Sequence, residues 1–91
     1  MTETLMTSRL TLNITVANLT PNAQTVHVFD TIKGGTRPIE ASPFSLASGE
    51  RSPPFAVRSD RNGKGLVAFR CQSGIFLAGI EVTEGMCVNV R

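Results

Sequence analysis

His27 is the only imidazole among 91 residues, so a Cys-His pair or a Ser-His-Asp arrangement would have to pass through it. It lies within "TVHVFDTI", an alternating run in which Phe29 shares its face, and nothing local supplies a nucleophile or an orienting acid. The expectation is a surface or interface histidine. The seven Asp and Glu residues are dispersed, and any such set offers carboxylate pairs, so they carry little signal for glycoside hydrolysis. Asp30 stands apart. Continuing the alternation of Val26 and Val28 points it inward, where a carboxylate needs donors or a bend that turns it out.

"SDRNGKG" places Asp60, Asn62 and Gly63 as a calcium loop would, but Lys64 and Gly65 follow where further oxygen ligands are needed. "GGTRP" and "GKG" lack the spacing of a phosphate-binding loop, and no helix start follows either. Two cysteines and one histidine at scattered positions do not make a structural zinc site. No cofactor or metal is expected. A bridge between Cys71 and Cys87 would close a loop of 15 residues and add about 3 kcal/mol in the entropic picture; two reduced thiols are the simpler reading. Asn13 and Asn18 begin N-x-T sequons, which Thr-rich strands also produce by chance.

Six residues are the candidates for binding: Arg37, Arg51, Arg58, Arg70, His27 and Phe29. Arg37 precedes Pro38, and Arg51 lies in "SGERSPP"; either loop could present an arginine to a protease as an inhibitor does. Arg58 and Arg70 are expected outside, on one hairpin face. Nine Lys and Arg against seven acids give a formal charge of +2, with the signs interspersed, which argues against nucleic acid as the default partner. Trp and Tyr are missing, so carbohydrate is not indicated, although polar loops remain compatible with it. No apolar run of about 18 residues is present to cross a bilayer as a helix. The N-terminus lacks the pattern of a secretory signal, so the cytoplasm is the default expectation.

These residues need a scaffold. The composition, 41% hydrophobic and 18% charged, is that of a folding chain. "RLTLNITVAN" alternates strictly, with Leu10, Leu12, Ile14 and Val16 on one face, and "TVHVFDTI" gives a second strand. The segment Lys33 to Ser42 lacks periodicity and reads as a mobile loop. Short strands follow at Phe44 to Ala47 and Phe55 to Ser59, then in "GLVAFRC", "IFLAGIEV" and "MCVNVR". The Pro53-Pro54 pair places the Phe55 strand beside an edge or bend. Seven short strands at spacings of about ten residues indicate an all-β sandwich or barrel.

Register follows from burial. If Asp60 to Gly63 forms a type I turn with Gly63 as a left-handed bulge, Asp60 pairs with Lys64 in a hairpin. Phe55, Val57, Val67, Phe69 and Cys71 then gather inside, with Arg58 and Arg70 together outside. An Asn62-Gly63 two-residue loop would mix both faces. At about 1.5–3 kcal/mol per large buried side chain, the first arrangement is preferred. A type I turn from Val82 to Gly85 would likewise put Ile80, Val82, Met86, Val88 and Val90 inward and Cys87 outward, away from Cys71.

The sequence therefore predicts a small antiparallel β-sandwich of about seven strands over residues 9–91, behind a flexible tail at 1–8. It resembles immunoglobulin-like or transthyretin-like sandwiches in layout alone. The expected function is non-enzymatic: a protein-binding or self-associating module acting through a sheet face, an edge strand and loops. The outward Phe29, Leu66, Ala68 and Phe76 are too apolar for a solvated surface. The alternative is a small inhibitor or toxin-like effector acting through an exposed Arg-Pro loop.

Overall fold

The computed structural model describes residues 10–91. The tail expected at 1–8, and Arg9, lie outside the described residues. The strands are β1 (Thr11–Asn18), β2 (Gln24–Asp30), β3 (Arg37–Pro38), β4 (Phe44–Leu46), β5 (Phe55–Arg58), β6 (Gly65–Cys71), β7 (Phe76–Val82) and β8 (Cys87–Val90). They form an all-β domain of two sheets. The smaller has the order β5-β1-β8; the larger runs β3-β2-β6-β7, with β4 also paired to β2. There are eight strands rather than seven because the segment Lys33 to Ser42, read as a mobile loop, contains the two-residue β3; a 3₁₀ turn (Ile32–Gly34) overlaps its start.

Alternation builds the core. Leu12, Ile14 and Val16 of β1, with Val88 and Val90 of β8 beside them in the same sheet, face Val26 and Val28 of β2 and Val67 and Phe69 of β6 in the other sheet, all buried. Phe55, Val57 and Cys71 are buried as the preferred register requires.

The turn in "SDRNGKG" forms as expected. Gly63 N–H donates to Asp60 C=O at 3.2 Å, Asp60 N–H donates to Lys64 C=O at 2.8 Å, and Gly63 has φ +77°. The Asp60 carboxylate is consumed by the turn, accepting from the N–H groups of Asn62 and Lys64 at 2.8 and 3.0 Å. The hairpin around it does not form. β5 pairs with β1, whereas β6 pairs with β2 and β7, so the turn carries the chain from one sheet to the other. Arg58 and Arg70 are accordingly separated instead of lying side by side.

The last hairpin is corrected in the same way. β8 leaves β7 and pairs with β1 in parallel, Thr15 opposite Cys87 and Asn18 opposite Val90. The turn sits one residue later than expected, with Met86 N–H donating to Thr83 C=O at 3.1 Å. Met86 is therefore exposed rather than inward, while Val82, Val88 and Val90 are buried. Both corrections have one cause: β1 is a central strand whose two edges need partners, and residues distant in sequence supply them.

Candidate functional site

The ladders decide which candidate residues meet. His27 lies opposite Arg70 and Phe29 opposite Ala68 in the β2–β6 pair, Arg70 opposite Phe76 and Leu66 opposite Glu81 in the β6–β7 pair, and Phe29 opposite Pro38 in β3. Directly opposed residues share a face. Val28 and Phe69 are buried on the inner face, so His27, Phe29, Leu66, Arg70 and Phe76 stand on the outer face of the larger sheet. The Arg70 guanidinium carbon lies 5.5 Å from the Phe29 ring centroid. Such a contact is worth about 0.5–1 kcal/mol at an exposed site and favours keeping the cation over the ring. Phe76 is 61% exposed. Lys64 and Glu81 form an exposed pair at 4.0 Å on the rim of this face.

A bulge keeps β7 in phase. Val67 pairs with Ile80 but Phe69 with Leu77, so Ala78 and Gly79 together face Ala68. Gly79 has φ +68°, a conformation that glycine adopts without strain. The bulge lets Leu77 and Ile80 pack on the core while Phe76 and Glu81, five positions apart, both point outward. Simple alternation could not place both, and the interior glycine was the available signal.

Arg37 and Arg58 line a separate cleft. A cleft of about 270 Å³ opens between β3 and β5, with Asp30, Arg37, Glu40 and Arg58 on its walls. Asp30 is inward, as the alternation predicted, and finds its donors: Arg58 Nε and N–H at 3.0 Å each, Arg58 Nη2 at 3.4 Å and Ile32 N–H at 3.1 Å. Burial by itself would raise its pKa; the Arg58 side-chain hydrogen bond, the two backbone N–H groups and the arginine charge together hold it below the ordinary value. One side of the Arg58 guanidinium is therefore committed to structure. Arg37 is exposed, and its main chain belongs to a ladder opposite Asp30 rather than to a free loop.

Arg51 stands apart from both groups. It forms an isolated bridge with Ala17, and its surrounding segment is tied down by Glu50 C=O accepting from Asn18 N–H at 2.9 Å and by Ser52 N–H donating to Val16 C=O at 2.8 Å.

Asn18 is a structural residue the sequence reading missed. It is fully buried; its amide donates to Asn22 C=O and Leu46 C=O, and its oxygen accepts from Thr20 N–H and Oγ1. The Asn18-Leu19-Thr20 spacing read as a sequon is an Asx turn that ends β1. The local signal was Asn two residues before Thr at a strand end.

Cys71 is buried and Cys87 half-buried, and both are free thiols. Among the described residues, no group of three His, Cys, Asp or Glu converges. No family model, curated protein or solved structure matches the chain.

Proposed function

We propose that the protein is a non-enzymatic protein-binding module that works through the outer face of the five-stranded sheet. The carrying observation is the row Phe76–Arg70–His27 across β7, β6 and β2, with Phe29 beneath the Arg70 cation and Leu66 nearby. Aromatic side chains and arginine are the groups enriched at interface centres, because they bury large areas with few rotatable bonds or pair with polar groups in fixed geometry. The outer face of the smaller sheet is unlike it. There Thr11, Asn13, Thr15 and Asn89 alternate with the core residues, giving a hydroxyl- and amide-rich surface suited to water.

The test is comparative affinity capture from the source cells, with quantitative mass spectrometry. Wild type and an Asn89→Asp control on the opposite sheet should retain the same protein, whereas Phe29→Asp and Arg70→Glu should each lose it at least tenfold. Retention of every captured protein by both face variants would refute the reading.

A further inference from the structure

The sandwich has four open sheet borders among the described residues, and three are closed to strand pairing by local devices. Immediately before β5, Pro53 and Pro54 offer no N–H. Ser59 N–H donates to Leu10 C=O, so alternation turns the main-chain groups of Ala56 and Arg58 away from β1; Arg58 N–H is already taken by the Asp30 carboxylate. The border of β2 is divided between β3 and β4, two and three residues long, with Pro38 inside β3 and Pro43 immediately before β4. β8 is only four residues long.

β7 has neither the prolines, the occupied main chain nor the short length of these borders; its one interruption is the bulge at Ala78 and Gly79, on either side of which Phe76 and Glu81 keep outward main-chain groups. It has seven residues, Phe-Leu-Ala-Gly-Ile-Glu-Val, with no proline and one charge. Cys71 N–H donates to Ile75 C=O, so the main-chain groups of Phe76 point away from β6. Thr31 N–H donates to Leu66 C=O, which turns Leu66 toward β2 and leaves Glu81, its opposite number, pointing off the border as well. A long, apolar, low-charge edge is an open template for another strand.

We propose that β7 pairs with β7 of a second copy, antiparallel about a two-fold axis between Ala78 and Gly79. This joins two five-stranded sheets into one of ten strands, and it rests on the outer face being the binding surface. The register is the one in which the outward-pointing main-chain groups meet: Phe76 of each copy lies opposite Glu81 of the other. It also satisfies charge. Glu81 packs beside an aromatic ring instead of a second carboxylate, as an axis at Glu81 would require, and it enters a face whose cation, Arg70, has no acid partner among the described residues. The arrangement is isologous, so it closes at two copies and removes the free border.

Sedimentation equilibrium of the full chain, from micromolar to millimolar concentration, tests this. Wild type should reach the mass of two chains. Ala78→Lys sets two ammonium groups at the axis, and Phe76→Lys alters a well-exposed side chain; each should return the mass to one chain while unfolding thermally as wild type does at concentrations low enough for the wild type to be a single chain. A wild-type mass of one chain throughout, or of more than two, overturns the inference. So does a dimer that persists in both lysine variants; if Phe29→Asp alone dissolves that dimer, the face reading stands and the edge pairing falls.

Discussion

Arg58 and Asp30, 28 residues apart in sequence, meet at 3.0 Å and tie the end of β5 in one sheet to the end of β2 in the other. The carboxylate is almost wholly enclosed, while the arginine side chain keeps 37% of its surface. The pair costs less desolvation than a fully buried one and serves mainly to satisfy an inward acid.

Replacing Asp30 with Asn should destabilise the domain by about 1–3 kcal/mol at neutral pH, since the donors around it lose a charged acceptor. The effect has a defined pH window. The folded pKa lies below the unfolded one, so the stabilisation is complete above the ordinary aspartate value of about 3.9 and is lost as pH falls through the lower folded value. Urea denaturation of wild type and variant across acid pH should show the two stabilities converging.

Gly65 follows the sheet-to-sheet turn, and a Cβ there would lie 2.8 Å from the Arg58 carbonyl oxygen and 3.2 Å from Val82 Cγ2. The first obstacle is main chain. Gly65→Ala should therefore cost about 1–3 kcal/mol as overpacking, seen as a lower denaturation midpoint with an unchanged slope.

Asn18→Ala should cost at least about 2 kcal/mol, because Leu46 C=O and Thr20 lose buried partners that water cannot easily replace. Asn18→Asp is expected to be no milder, since an acid cannot donate to the two carbonyl oxygens that the amide serves. Thermal unfolding by circular dichroism reads both.

The two thiols should react in sequence. Burial pushes the Cys71 thiol above its ordinary pKa and hides it, whereas Cys87 is half-buried on the other sheet. Alkylation of the native protein should modify Cys87 first, with Cys71 protected until denaturant is added; peptide mass spectrometry distinguishes them. A single adduct at Cys71 in the native state would contradict the fold.

The sequence by itself determined which residues could alternate and which could turn. Leu12, Ile14 and Val16, or Val67, Phe69 and Cys71, declare their inner face through a period of two, and Asp60 with Gly63 declares a turn through side-chain acceptor and left-handed φ. These are local properties, each fixed within a few bonds. Which strand lies beside which was decided only by the tertiary structure. The same alternation lets β6 satisfy its main-chain groups against β5 or against β2 and β7, and local chemistry cannot rank those partners. Burying β1 between β5 and β8 settled it. That choice separated Arg58 from Arg70, gave Asp30 its cation, and set Arg70 over Phe29 and beside Phe76 on a face no stretch of sequence contains.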